Sequence, residues 1–317
     1  MTWDYFVHLD MSHQEEPPRL PWAFAAGFID RNSLLFFKTE IDHKKLEETS
    51  DFQERRKKQQ DLEKRKRELR DRYISKAGYR IPIRLFPYLH PDFSSLPSPR
   101  WLGLQVEFEL LTPWYSRDDR PFHLLDNPVR KERVFGVPFM AASTWKGLLR
   151  WACRMKAGLR EYLASGKSFE EWKDPEWILY LFGNEKGEEE DFRRGVLIFY
   201  PTWFDRISFE VINPHSRERR AGTQPIYYEV VPPGARGSLY LLYAPWPGMK
   251  HTPEHAEILL ELLTSVEMLL MTYGISAKRT VGWGTAKILK WKAFRKNKQP
   301  VEQDCRDKFW QEVQRGF

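Results

Sequence analysis

The stretch Leu102-Gly-Leu-Gln-Val-Glu-Phe-Glu-Leu-Leu111 decides the fold class of this 317-residue chain, because apolar and polar side chains alternate along it. Alternation with a period of two is typical of a β-strand that buries one face. Thr112 and Pro113 end the strand. The preceding residues, 81–100, contain five prolines, which disfavour helices and central strands, so we predict a connecting segment there.

Helical periodicity predicts one helix from Ser143 or Thr144 to about Leu163, and a more apolar one over Glu254–Tyr273. Strand patterns occur at 195–200, 226–231, 237–243 and 285–291. From residue 102 onward the order is therefore strand, helix, strands, helix, strand. This order predicts an α+β fold with a ferredoxin-like (RRM-like) βαββαβ core, large insertions and an N-terminal extension. Such a sheet carries helices on one face, and its other face can receive RNA.

We divide the chain into three segments. Residues 1–100 form an N-terminal arm with a charged helix, 101–292 form the core with an inserted finger loop at about 205–224, and 293–317 form a C-terminal helical tail. Within the arm, Lys44–Arg72 contains 12 Lys or Arg and 8 Asp or Glu, a net charge of +4, and few apolar residues. This composition favours a helix that is either exposed or only partly ordered. The helix is either merely solvated or contacts nucleic acid or another subunit.

The composition indicates a polyanionic partner. The net charge is +7, so apart from Lys44–Arg72 the chain is close to balance and any RNA-binding surface there must be a local patch. The two cysteines lack metal-ligand spacing, which fits a reducing compartment. No apolar run approaches the roughly 20 residues that a membrane span needs. We therefore expect a cytoplasmic protein without a membrane partner.

The segment Ala141-Ala-Ser-Thr-Trp-Lys-Gly-Leu-Leu-Arg150 enters the first predicted helix. Free N–H groups at a helix start attract phosphate, and the Ser143 and Thr144 hydroxyls and the Lys146 ammonium would add donors. Gly147 would let an RNA backbone approach closely. The alternative is an ordinary helix start followed by a surface lysine.

A glycine-rich segment, Tyr273-Gly-Ile-Ser-Ala-Lys-Arg-Thr-Val-Gly-Trp-Gly284, lies between the second helix and the last strand. Its backbone could wrap a phosphate, with Lys278 and Arg279 neutralising the charge. It is not a P-loop, because the GxxxxGK[ST] order is absent. The alternative is a tight structural turn.

A third segment places Asp126 among the cations Arg130, Lys131 and Arg133. The carboxylate is either a salt-bridge partner or assists attack of an RNA 2′-hydroxyl on the adjacent phosphate, directly or through a metal.

Together these segments resemble the RAMP superfamily, and specifically the backbone-type subunits of type III CRISPR effector complexes. Residues 136–150 are similar to the family's G-x-P-[YVF]-I-P-G-S-S-L-K-G-x-x-R segment, although Ala141-Ala142 replaces Pro-Gly and Thr144-Trp145 replaces Ser-Leu. Residues 274–284 resemble its glycine-rich loop, and Leu125-Asp-Asn-Pro-Val-Arg-Lys-Glu resembles the segment that holds the catalytic aspartate in RNA-cleaving subunits.

The resemblance implies a subunit that packs with other type III CRISPR subunits in a filament and holds a guide CRISPR RNA paired to a target RNA. It implies RNA contacts at Arg130, Lys131, Arg133, Ser143, Thr144, Lys146, Gly147, Arg150, Gly274, Ser276, Lys278, Arg279, Gly282 and Gly284. The loop Asn213–Gly222, with His215 and Arg217, would act as a finger that separates guide–target base pairs.

Three functions remain open on the sequence. In the first, the protein is an endonuclease that cleaves target RNA at Asp126 with a divalent ion, Mg²⁺ or Mn²⁺. In the second, it is a non-catalytic scaffold that caps the filament, as the residues before the first strand resemble the sixth subunit of Cmr-type complexes. In the third, it processes guide RNA alone with a histidine base, for which His123 and His215 are available.

Overall fold

A computed structural model describes residues 39, 52–75, 89–118, 124–132, 137–184, 194–213, 225–246 and 254–315. Its strands are β1 (Leu102–Leu110), β2 (Phe139–Met140), β3 (Leu197–Phe199), β4 (Thr202–Trp203), β5 (Ser208–Ile212), β6 (Ile226–Val230), β7 (Arg236–Tyr243), β8 (Ala286–Phe294) and β9 (Val301–Gln303). Its α-helices are α1 (Phe52–Ile74), α2 (Ala142–Lys156), α3 (Leu159–Ala164), α4 (Glu176–Phe182), α5 (Glu254–Met268) and α6 (Arg306–Gln314). The fold class is therefore α+β, as predicted.

The main sheet has five antiparallel strands in the order β3-β7-β1-β8-β9. With α2 following β1 and α5 following β7, the first four strands have the order that a βαββαβ arrangement requires. β1 lies at the centre of this sheet. Its buried residues Leu104, Val106 and Phe108 alternate with half-buried polar residues, so the strand buries one apolar row.

Helices α2 and α5 cover the apolar face of this sheet. The buried residues Trp145, Leu149, Ala152 and Cys153 lie along one side of α2 at helical spacing. α2 ends before Gly158, whose φ of 96° is readily adopted only by glycine, and the chain then turns into α3. The predicted single helix to Leu163 is thus two helices.

The opposite face of the sheet is partly covered by the proline-rich segment. Phe93 and Leu96 pack there against Tyr240 and Leu242. A Cβ on Gly103 would lie 2.6 Å from the Phe93 ring, so glycine is needed for this contact. This part of the face is covered and is not open to RNA, contrary to the general expectation for the fold.

The C-terminal residues pack on the core more closely than the sequence suggests. The boundary proposed between 292 and 293 falls inside β8, and residues 301–303, predicted as helix, form a strand paired with β8. α6 buries Phe309 and Trp310 in the main core. Before β1, α1 is a helix within the segment where one was predicted. None of the helices that the structure describes is long and apolar enough to cross a membrane.

Candidate RNA interface

The start of α2 presents free backbone donors. Ala141 precedes the helix in an extended conformation, and within the described residues no side chain caps the first turn and no acidic residue lies in it. Trp145 anchors this turn, since its Nε1 donates to Thr202 Oγ1 at 2.9 Å. Ser143, Lys146 and Gly147 are exposed, and a Cβ on Gly147 would meet nothing within 4 Å. The first turn is therefore open to an anion.

The loop from Gly274 to Gly284 is folded tightly against Trp114 and Tyr115. Trp114 Nε1 donates to the Ile275 carbonyl at 3.0 Å, and Ser276 Oγ accepts from Tyr115 N at 3.0 Å. The loop therefore has a fixed shape, which determines where the side chains on its outer side lie.

Arg279 connects this loop to α2. Its guanidinium carbon lies 4.5 Å from the centroid of the Trp151 ring, and Trp151 also packs edge-on against Tyr273. Trp151 follows Gly147 by four residues, so the two lie on one side of α2. The stacked arginine thus brings the glycine-rich loop beside the open start of the helix.

Lys278 connects the same loop to the Asp126 segment. Its Nζ lies 4.4 Å from the centroid of the Tyr228 ring, and that ring contacts Tyr115 and Trp283 edge-on. Tyr228 also forms a β-bridge with Asn127, which directly follows Asp126. All three segments singled out from the sequence therefore lie on one continuous surface, which we call the RAMP-motif surface.

A buried ionic cluster supports the Asp126 segment from below. Lys131 Nζ lies 2.7 and 2.8 Å from the two carboxylate oxygens of Glu229, and both side chains are 0% exposed. Tyr73 of α1 donates to Glu229 at 2.6 Å, and Val129 N donates to it at 3.0 Å. We call these four residues the Glu229 cluster; it ties α1, β6 and the Asp126 segment together.

The cations of the RAMP-motif surface have no counter-charge among the described residues: no ion pair involves Lys146, Lys278 or Arg279 there. Partial burial lowers the pKa of Lys146, and the nearby Arg150 lowers it further. Burial also lowers the pKa of Arg279, whose Nη1 is buried and has no hydrogen-bond partner in the part of the chain that the structure describes. An incoming phosphate would relieve this electrostatic cost.

Three of the predicted RNA contacts have side chains that form bonds inside the fold. Lys131 belongs to the Glu229 cluster. Arg150 is only 10% exposed and forms an ion pair with Asp174 at 2.6 Å. Ser276 is buried and both accepts from and donates to the Tyr115 backbone.

Some glycines of the loop from Gly274 to Gly284 are likewise required by the fold, while another is open to solvent. A Cβ on Gly274 would lie 2.7 Å from the Trp283 carbonyl, and one on Gly284 would collide with the Ser276 backbone, so both close the turn. Gly282 is exposed with open space around it and remains available to RNA.

The remaining predicted residues have varied positions. Asp126 is exposed, and no ion pair joins it to another described residue, so the salt-bridge alternative gains no support. Arg130 lies over the Phe139 ring at 5.6 Å, and Thr144 is half-buried. Residues 133, 136, 123, 215 and 217 lie outside the described residues, so the predictions on Arg133, the histidines and the finger tip stay predictions. For the finger, the structure shows only its base, the β5–β6 hairpin.

Sequence reasoning missed the aromatic residues that hold the cations, Trp151 and Tyr228. Trp151 could have been noticed as the residue one turn after Gly147, whereas Tyr228 carries no local signal. It also missed Arg117, an exposed cation that forms a bridge with Val129 in the Asp126 segment.

A divalent ion for cleavage would need oxygen ligands near Asp126. Among the described residues, no group of three or more His, Cys, Asp or Glu side chains could hold a metal ion. We therefore derive no step through a metal, and the divalent ion stays a prediction.

Two solved structures are similar to this chain. A structure described as the cryo-EM structure of the Type III-B Cmr-beta bound to cognate target RNA matches with a TM-score of 0.50 and 15% identity, over 78% of each chain. A second, the crystal structure of the Csm3-Csm4 subcomplex in the type III-A CRISPR-Cas interference complex, has a TM-score of 0.43 and 17% identity, over 68% of this chain and 95% of the other. No curated protein sequence matches.

The first of these likenesses supports the fold. The sequence model of the RAMP superfamily matches residues 107–287, which is more than half of the chain and includes all three motif segments. The protein therefore belongs to the RAMP superfamily.

Proposed function

We propose that this protein is an RNA-binding subunit of a type III CRISPR ribonucleoprotein effector, and that the RAMP-motif surface holds the backbone of the guide RNA. The observation that carries the proposal is the pair of stacking contacts, Arg279 on Trp151 and Lys278 on Tyr228, which unite the family's segments on one surface. The family membership and the likeness to a chain of an RNA-bound type III complex support the same function.

The chemistry of this surface suits phosphates rather than bases. The first-turn amides of α2 and the Ser143 hydroxyl are hydrogen-bond donors, while Lys146, Lys278 and Arg279 supply positive charge. None of these groups forms a pattern that would distinguish one base from another. The guide would therefore supply sequence specificity by pairing with target RNA, and other type III subunits would extend the bound path.

Removing the two lysines tests this function. Lys146→Gln with Lys278→Gln should make the salt dependence of single-stranded RNA binding shallower, by about 0.7 in the log–log slope for each lost phosphate contact. The matched control is Lys308→Gln together with Lys173→Gln, two exposed lysines away from the motif segments. Equal slopes for both double variants would contradict the proposed interface.

A second candidate function is cleavage of the paired target RNA at Asp126. Its support is the exposed Asp126 carboxylate, next to the residue that bridges Tyr228 and without an ion pair among the described residues. As a general base it would take the proton of a 2′-hydroxyl, whose oxygen attacks the adjacent phosphorus and displaces the 5′-oxygen of the next nucleotide. The competing role is the non-catalytic scaffold that caps the filament.

Asp126→Asn in the assembled complex separates these roles. If Asp126 is catalytic, one target-cleavage product disappears while guide and target binding are retained. If the subunit is a scaffold, the cleavage pattern stays the same, and only the lysine variants shorten the protected guide.

A further inference from the structure

Helix α1 carries a row of side chains that the RAMP-motif surface does not use. Residues separated by three or four positions lie along one side of a helix. On α1 such a row consists of Gln53, Arg56, Gln60, Lys64 and Arg67, all exposed. We call it row A; it carries a charge of +3, and Asp71 follows it on the same side of the helix, four residues after Arg67.

A second row on the same helix has a different pattern. It consists of Lys58, Asp61, Arg65, Glu68 and Arg72, also exposed, and its charges alternate in sign. Alternating charges at these spacings compensate one another, as on an ordinary solvated helix. We call it row B. Row A thus carries a larger excess of positive charge than row B.

The C-terminal end of α1 is fixed beside the RAMP-motif surface. Leu69 and Tyr73 are buried against Leu124 and Leu125, which directly precede Asp126. Tyr73 also joins the Glu229 cluster. With 3.6 residues per turn, row A lies on the side of α1 away from Leu69 and Tyr73. Within the part of the chain that the structure describes, its cations form no ion pair.

We propose that row A is a second RNA-backbone contact, which receives the strand that leaves the RAMP-motif surface past the Asp126 segment. The inference rests on the proposed function. From Gln53 to Arg67 the row spans about 21 Å at 1.5 Å per residue, which is long enough to follow several phosphates. Arginine and lysine neutralise phosphates, and glutamine amides donate to phosphate or ribose oxygens.

The composition of row A favours RNA over a protein partner. A helix that docks on a protein surface presents apolar anchors at spacings of three, four and seven residues. Row A contains none. Leu62, Leu69 and Tyr73 lie on the side turned to the core, and Ile74, at the end of the helix, packs against the same apolar cluster as Leu69. A polyanion needs charge and hydrogen bonds but no apolar anchor, and row A offers those.

The test compares two triple variants of the full chain. In the row A variant Arg56, Lys64 and Arg67 become Gln; in the row B variant Lys58, Arg65 and Arg72 become Gln. Both remove three positive charges from one helix with little change in helix propensity. Each is titrated with a short single-stranded RNA and with one longer by at least about 21 Å, at several salt concentrations.

With the longer RNA, the plot of log affinity against log salt concentration should be shallower by about 2 for the row A variant, since each lost phosphate contact lowers the slope by roughly 0.7. For the row B variant the slope should change by less than about 0.7. With the short RNA both should match the parent protein. Equal slopes for the two triple variants would overturn the proposal, as would a row A variant that binds RNA normally yet fails to join partner proteins. The Lys146/Lys278 variant should lose affinity for both RNAs. If the Lys146/Lys278 variant binds both RNAs like the parent protein while the row A variant is impaired, the proposed RNA contact on the RAMP-motif surface is refuted but the contact on α1 is supported.

Discussion

Replacing Lys131 with methionine should leave the Glu229 carboxylate buried without its cation. Both side chains are 0% exposed, and Lys131 Nζ contacts both carboxylate oxygens, at 2.7 and 2.8 Å. Removing one partner of a buried pair typically costs about 3–5 kcal/mol. Glu229 would keep the Tyr73 hydroxyl at 2.6 Å and the Val129 amide at 3.0 Å, which offset part of the loss. We therefore expect a destabilisation at the lower end, about 3 kcal/mol.

Two further variants show whether charge or packing causes this loss. Adding Glu229→Gln to Lys131→Met removes the unpaired charge, and the single amide oxygen keeps an acceptor for either Tyr73 or Val129 N, so part of the stability should return. Lys292→Met is the matched control, because Lys292 also pairs with a glutamate, Glu107, at 2.9 Å, but its side chain is 20% exposed and that of Glu107 is 32% exposed. Such a pair near the surface contributes about 0–1 kcal/mol.

Urea unfolding followed by circular dichroism measures the free energies of these variants. Hydrogen exchange over α1 shows in addition whether the Lys131→Met loss begins with release of this helix, since Tyr73 is its link to the Glu229 cluster. The interpretation fails if Lys131→Met costs less than about 1 kcal/mol, or if adding Glu229→Gln destabilises the protein further.

Three other outcomes follow from the structure. Burial raises the pKa of Asp174, but the hydrogen bonds that it accepts, the one from Arg154 above all, outweigh burial and hold the pKa below 3.8. The parent protein should therefore be more stable than Asp174→Asn at neutral pH, and thermal denaturation should show this advantage shrinking below about pH 4. Gly147→Ala should raise the free energy of unfolding in urea by about 1 kcal/mol, because the added Cβ meets open space on the exposed side of a helix. The same Cβ should weaken RNA binding in titrations, because the RNA is expected to approach the helix backbone at this position. Gly284→Ala should lower the melting temperature more than Gly282→Ala. Both glycines have φ above 80°, a conformation that costs a non-glycine residue about 1–3 kcal/mol, but only the Cβ added at Gly284 also collides with backbone atoms.

The main elements of the fold could be predicted because their patterns are local. The alternation in β1 and the helical spacing in α5 each persist over many residues, and both elements occur where expected. β9 was mistaken for helix, since three residues carry no usable period and form a strand only by pairing with β8. The long connection after β1 is held by bridges such as Trp114 to Val231 and Asn127 to Tyr228, whose partners lie about 100 residues apart in sequence.

The candidate site shows why the motifs alone could not separate structural from binding cations. Lys131 and Arg150 lie in or beside basic motif segments, but Glu229 and Asp174, far from them in sequence, neutralise them. A sequence motif fixes which residue type is present, whereas the fold decides which partner reaches it. The same segments therefore contain both cations that build the protein and cations that remain available.

The partner type gives a physical criterion for that division. A carboxylate partner neutralises a cation and reduces its attraction for a phosphate. An aromatic ring holds a cation in place without neutralising it, because the ring carries no net charge. Lys278 on Tyr228 and Arg279 on Trp151 are therefore positioned and still positive, at the point where the loop, α2 and the Asp126 segment meet. A surface that keeps positioned charge uncompensated is stabilised when a polyanion binds, and this is the strongest physical reason to place the RNA backbone there.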